Sequence, residues 1–258
     1  LSAHINNHAC AMCVEKGLQV EVPPRARVIR VLMDELTRIA SHELWWGAMA
    51  MDLGAFTPFF HAFRERESIN DIMEETCGAR LTMNYMVPGG VMHDIHPNFQ
   101  KRVKDFLQIY KRKVHEYDEL VTGNVIFQNR MKGVGMLSAE DVISYGCTGP
   151  VARGSGVSCD IRKIHPYEIY EKLEFDEVLE SGCDSFARYL IRVKEMNQSI
   201  RIIEQLIDNI PEGDFQAKTK AVLKLPKGEF YSRVETARGE LGVYIVSEGG
   251  TTPYRIKF

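Results

Sequence analysis

One uninterrupted stretch limits what this chain can become. Between Pro24 and Trp46 there is no glycine and no further proline. Pro23-Pro24 supplies a stop and a start, because proline fits the first turn of a helix and little else helical. The spacing predicts one long helix from Pro24 to about Asp52. At about 100° per residue, Val28, Val31, Ile39 and Trp46 fall within about 40° of Glu35 on an apolar stripe. Arg38 and His42 share that face, while Arg30, Thr37 and Ser41 point the other way. A charge left unpaired in such a seam costs several kcal/mol. Glu35, Arg38 and His42 must therefore pair with one another or with something brought to them, which makes them site candidates. The competing account is an ion pair that only pins helices together. The helix closes with Trp45-Trp46-Gly47-Ala48-Met49-Ala50-Met51-Asp52. Small residues, Met and Trp make an apolar wall suited to a flat ligand, with one acid at its end.

Composition narrows the class. The chain has 258 residues, 45% hydrophobic and 26% charged, enough for a core without staples. Net charge is −3 with both signs mixed, so no nucleic-acid footprint is present. No apolar run reaches the roughly 18 residues of a membrane span. Six cysteines dispersed over this length read as reduced thiols rather than a disulfide framework. The chain starts at Leu1 and stops at Phe258 in a strand-like run, and it reads as an internal piece of a longer protein, lacking both ends.

The predicted organisation is mainly α with a small antiparallel β part. Residues 1–17 form a helix closing at Gly17. The long helix follows, then another from Phe59 to about Thr76, ending at Gly78. Pro88-Gly89-Gly90 is a turn, and Asn98–Leu120 carries helical apolar spacing. From 123 to 170 periodicity fades into an irregular segment, of the kind that is usually functional or buried against a partner. Ser181–Ile210 returns to helix. Alternation over Glu229–Val234, Leu241–Val246 and Tyr254–Phe258 predicts a small sheet. Residues 1–210 thus form a helical core and 211–258 a small β region.

Several motifs carry less than they suggest. Cys10 and Cys13 have ligand spacing with His8 nearby, but they sit mid-helix with no second such pair, whereas structural zinc wants four ligands. Two small apolar helix residues is the better account, and no metal is assigned. Gly133-Val-Gly135 and Arg153-Gly-Ser-Gly156 lack the third glycine of a dinucleotide fingerprint. Arg153, Asp160, Arg162 and Lys163 read as a solvated or interface loop.

Taken together, a series of blocks in register resembles the D subunit, or 49-kilodalton type, of respiratory complex I, the NADH:quinone oxidoreductase. They include Val14-Glu15-Lys16, Pro23-Pro24-Arg25-Ala26, Glu35-Leu36-Thr37-Arg38, Ser41-His42, Asp52-Leu53-Gly54-Ala55 and Thr57-Pro58-Phe59-Phe60. Further on come Gly78-Ala79-Arg80, Gly89-Gly90-Val91, Arg153-Gly154-Ser155-Gly156, Pro166-Tyr167, Glu240-Leu241-Gly242 and Pro253-Tyr254-Arg255. The resemblance implies a peripheral-arm protein, without a membrane span, on the cytoplasmic face of a bacterial inner membrane. It implies the B, C and I subunits of complex I and its membrane-embedded H subunit as partners. It also implies a quinone, menaquinone or ubiquinone, as substrate. It implies no cofactor bound by this chain alone. The terminal iron–sulfur cluster belongs to the neighbouring B subunit, and NADH binds elsewhere in the complex. Asp52 matches the acid paired with a quinone-facing histidine. Leu44, Ala48, Thr57 and Phe60 match cavity lining, and Glu35, Arg38 and His42 match the charged group at its foot. Arg80 and Thr82 match positions beside the cluster.

Departures from the family pattern bear on these expectations. The quinone-contacting histidine and its partner tyrosine match positions before Leu1. Asn209–Phe230 matches a shortened connection, Thr82 stands where many relatives have histidine, and Val87 replaces a common arginine. The fold is shared with nickel–iron hydrogenase large subunits, the alternative reading. There the first metal-binding pair aligns with Ser2, and serine is a poor ligand for a soft site. A third reading is a redox-silent scaffold in such a complex.

Overall fold

The computed structural model describes residues 2–258. Helix α1 (Ala3–Leu18) is followed by α2 (Pro24–Asp52), whose first residue is the proline that the sequence reading put there. Gly17 does not end α1. The stop comes at Gln19 in the left-handed region, at φ 54°. Gly17 instead packs beneath Leu225, whose Cδ2 would lie 2.5 Å from a Cβ there and would have to turn aside. Next comes α3 (Thr57–Cys77), opened by Pro58 in its first turn and closed by left-handed Gly78. A short hairpin, β1 (Met86–Val87) with β2 (Gly90–Val91), holds the predicted turn. Helix α4 (Phe99–Tyr117) buries Val103, Phe106, Leu107, Tyr110, Val114 and Tyr117 along one face, as the spacing predicted. It runs on into a π-helical turn, Asp118–Thr122.

The irregular segment contains four short helices: α5 (Val125–Met131), α6 (Ala139–Ser144), α7 (Gly149–Arg153) and α8 (Ile161–Ile164). Helix α9 (Ser185–Ile207) starts later than Ser181 because Asp184 caps it, accepting from Ala187 N at 2.8 Å. Strands β3 (Gly228–Thr236) and β4 (Gly239–Ser247) form a long antiparallel hairpin, edged by the short, exposed β5 (Arg255–Lys257).

Helix α2 is the axis of the molecule, packed against α1, α3 and α9, with α4 bridging α3 and α9. Trp46 is fully buried and stacks on Tyr117 at 4.2 Å. The β3–β4 hairpin lies on α1, where Ser232 donates to the Ala9 carbonyl and the Cys13 thiol to the Val243 carbonyl. Its tip docks on α7: a Cβ on Gly149 would meet Gly239 Cα at 2.3 Å, so only glycine lets the two backbones approach this closely. Among the described residues, no helix is long and apolar enough to cross a membrane.

Candidate functional site

Helix α2 is not the two-faced helix that its wheel suggested. Arg30, Thr37 and Ser41, which the apolar stripe left pointing away, are buried, as are Asp34 and Glu43. The reason is tertiary: neighbours close on α2 from all sides, so every polar group on it needs a local solution.

Glu35 has the fullest solution. It accepts from Arg38 Nε at 3.2 Å, Arg162 Nη1 at 3.1 Å, the Tyr170 hydroxyl at 2.7 Å and the Ser199 hydroxyl at 2.6 Å. Burial pushes its carboxyl up, but the two guanidiniums and these donors win and hold it low. His42 does not join Glu35 or Arg38. Its Nε2 meets Glu195 Oε2 of α9 at 2.8 Å. Burial lowers the imidazole, Glu195 pulls the other way, and the net shift is downward. Glu195 in turn holds Arg153, and Arg153 reaches Glu235 Oε1 of β3 at 2.9 Å. Asp160 pairs with Arg162 at 2.7 Å, and Arg162 leads back to Glu35. Arg153 Nη1 lies 3.9 Å from Asp160 Oδ2 and so joins the two runs into one circuit of buried charges across α2, α7, α8, α9 and β3. The sequence places Arg153, Asp160 and Arg162 in a solvated or interface loop; the structure corrects this, because they are 0%, 1% and 1% exposed inside this chain itself. Only Lys163 of that group stays outside, its ammonium 3.8 Å from the Phe175 ring centroid.

A second buried cluster lies toward the start of α2. His8 bridges two carboxylates, with Nδ1 2.6 Å from Asp34 and Nε2 2.9 Å from Glu168. Burial opposes a charged imidazole here, yet Asp34 and Glu168 together raise it to about 9. Glu168, held at a positive φ of 51°, also accepts from Arg30 and Arg27. Arg30 further pairs with Glu15, which accepts from Gly89 N at 2.7 Å. Neither Cys10 nor Cys13 takes part; burial raises both thiols.

At the far end of α2 the predicted wall separates. Leu44 and Ala48 are half-buried, and Trp46 and Gly47 are withdrawn into the core. Trp45 is half-buried under Arg192, 4.6 Å from its ring centroid. Asp52, Thr57 and Phe60 are exposed. An open cavity of about 340 Å³ adjoins them, lined by Ala50, Leu53, Thr57, Leu120, Phe127 and Arg130. Thr57 alone of the predicted contact residues faces it. A smaller cavity of about 200 Å³ brings together Arg80 and Thr82 with Thr37, Arg66 and Met83. Arg80 is occupied by Glu67, Asp71 and Glu74 of α3.

This arrangement can be compared with known proteins. Residues 52–258 match the family model described as respiratory-chain NADH dehydrogenase, 49 Kd subunit. The chain belongs to this family. All 258 residues align at 54% identity with the C/D subunit of the NADH-quinone oxidoreductase of Bacteroides thetaiotaomicron, covering 49% of that protein. All of it also aligns at 46% identity with the D subunit of the Bacillus mycoides enzyme, covering 71% of that protein. At 47% identity it covers 65% of the second D subunit of Opitutus terrae. The chain thus spans about half the length of the C/D relatives that it matches.

Sequence reasoning missed His8, Asp34, Glu168, Glu195 and Glu235 as members of these clusters. One signal was available for Glu195. On α9 the row Ile191, Glu195, Ser199, Ile203 keeps helical spacing on a buried face, so two polar residues interrupt an otherwise apolar row. Glu168 and Glu235 carry no such local sign, because the segments holding them are buried only by tertiary packing.

Proposed function

We propose that this chain forms part of the wall of the quinone-reduction cavity in a proton-pumping NADH:quinone oxidoreductase, beside the terminal iron–sulfur cluster of the B subunit. Support comes chiefly from α2: one rigid helix carries the buried charge circuit at its middle and borders the open apolar cavity at its end. A flat apolar headgroup suits the cavity, and a charge circuit that can shift protons suits a reaction that adds two electrons and two protons to the quinone.

In this role the chain supplies positioning, proton delivery and electrostatics. Asp52 orients and charge-balances a histidine beside the quinone. Leu44, Ala48, Thr57 and Phe60 line the approach. Glu35, Arg38 and His42 transmit protons or charge toward the site, with the His42–Glu195 pair as the element that can change protonation. Arg80 and Thr82 border the face that the B subunit covers. The C, I and H subunits complete the neighbourhood, and this chain lies on the cytoplasmic face of the membrane. NADH oxidation takes place elsewhere in the complex.

The test is Asp52→Asn in the assembled complex, with NADH oxidation measured against quinone and against an artificial acceptor at the flavin end. Quinone reduction should fall while the artificial reaction persists. Equal rates with quinone for variant and parent would remove Asp52 from the site and the cavity reading with it.

A further inference from the structure

Glu43 differs from the other buried acids of the molecule. Asp34, Glu35, Glu195 and Glu235 are equally withdrawn from solvent, and each holds an arginine or a histidine. Glu43 is 0% exposed, and its carboxyl holds no arginine or histidine and no hydrogen bond of ordinary geometry; only the Tyr110 and Tyr117 hydroxyls approach it as donors. It follows His42 in sequence but, turned by about 100° on the helix, faces α3 and α4 instead of α9. From α3 it meets Glu65 and Arg66, and from α4 the hydroxyls of Tyr110 and Tyr117. Glu65 is engaged by Arg64, and the Tyr110 hydroxyl donates to Met196 Sδ at 3.0 Å. The Tyr117 hydroxyl is buried without a partner, like Glu43 itself. Tyr117 lines an open cleft of about 340 Å³ together with His61, Glu116, Glu119 and Leu120.

We propose that Glu43 is a proton-storing carboxylic acid that exchanges its proton with solvent by way of the Tyr117 hydroxyl and the cleft beside it. A carboxylate without a paired cation is strongly disfavoured in a buried site, whereas the neutral acid brings its own O–H donor. Burial and the neighbouring Glu65 charge both push the Glu43 carboxyl well up, and the Tyr110 hydroxyl, Arg66 and the Tyr117 hydroxyl oppose them only in part. The exchange is balanced in protons. The Glu43 O–H bond breaks as the Tyr117 oxygen takes that proton, and Tyr117 releases its own to a base in the cleft. The product is the Glu43 carboxylate beside an intact tyrosine, and the reverse sequence reloads it. On the quinone reading given above, this acid is a store one residue from the His42–Glu195 pair.

The experiment uses the assembled respiratory complex on an infrared attenuated-total-reflection surface at neutral pH. Perfusion is switched from water to deuterium oxide, and the C=O stretch of protonated carboxyls is followed. Glu43→Gln should lose one such band, and Tyr117→Phe should keep the band but slow its shift on deuteration. An unchanged spectrum in Glu43→Gln overturns the storage assignment, and an unchanged exchange time in Tyr117→Phe overturns the route. Should Glu43→Gln fail to assemble, Glu43→Asp answers the same question: the band must move, and an unmoved band overturns the proposal. Because this readout needs no quinone turnover, its failure is distinct from a failure of the cavity reading, which Asp52→Asn tests.

Discussion

Asp52 is the last residue of α2, at the end where helix carbonyls accumulate partial negative charge, with no basic residue in the last turn. A carboxylate there gains nothing from the helix and is exposed. Asp52→Asn should therefore leave the melting temperature of the complex unchanged or slightly raised. Its quinone reductase rate should still fall by about 1–3 kcal/mol of transition-state stabilisation, the scale of one charge-assisted contact. A variant that loses stability in parallel with rate would mark Asp52 as structural. His8 makes a second prediction at this scale. Its folded pKa, about 9, lies above the ordinary imidazole value of 6.5. The stability it confers is complete below about pH 6.5 and is lost as pH rises through 9. Unfolding followed against pH should show stability declining over that window, with a shallower decline in His8→Gln. Equal slopes would mean that the imidazole is not charged between Asp34 and Glu168.

At the scale of elements, α2 was legible from its punctuation. Proline set its first residue, and the absence of glycine and proline carried it through to Trp46. Its three charged candidates were legible too, because charges at apolar spacing demand partners. The partners were not legible. Arg162 lies 127 residues from Glu35, and Glu195 lies 153 from His42. The loop that carries Arg153 and Arg162 has the composition of a solvated surface, and only packing against β3 and α9 buries it. The long helices and the hairpin were predicted to within a few residues, whereas the apolar wall was over-read: the period already put Trp46 on the stripe with Glu35, and a residue on that stripe is core and cannot also line an open wall. Because Glu35 compensates two buried guanidiniums, Glu35→Ala should destabilise the fold by about 3–5 kcal/mol, measured by chemical denaturation. A loss well under that range would mean that Arg38 and Arg162 are neutralised by other groups.

For the whole molecule, the consequences lie in its assembly. Thr82 is exposed at the cavity that it shares with Arg66 and Arg80. If the B subunit brings its terminal cluster to this face, threonine cannot take up the proton that a histidine would bind as the cluster is reduced. The midpoint potential should then change little between about pH 5 and 8, the range over which a histidine titrates. A redox titration read by electron paramagnetic resonance checks this, and a steep slope would mean that another group has taken the role. The absent histidine charge also favours the oxidised cluster, which suits a low-potential acceptor such as menaquinone. On the same reading, elemental analysis of the purified complex should find iron and no nickel held by this chain. Stoichiometric nickel would overturn the reading that this chain holds no metal.

The seat of the β3–β4 hairpin on α1 also sets an order of events during synthesis. The Cys13 thiol finds its acceptor 230 residues downstream, and the Ala9 carbonyl finds its donor 223 residues downstream. A ribosome delivers α1 long before it delivers the strands that cover it. Until then the inner face of α1, with Ala9 and Cys13, has no lid of its own, and nascent chains with such uncovered surface are prone to associate. On that face α1 is thus secured only after the strands arrive. A ribosome-bound chain halted before Gly228 should leave the Cys13 thiol open to alkylation, and one released after Ser247 should protect it.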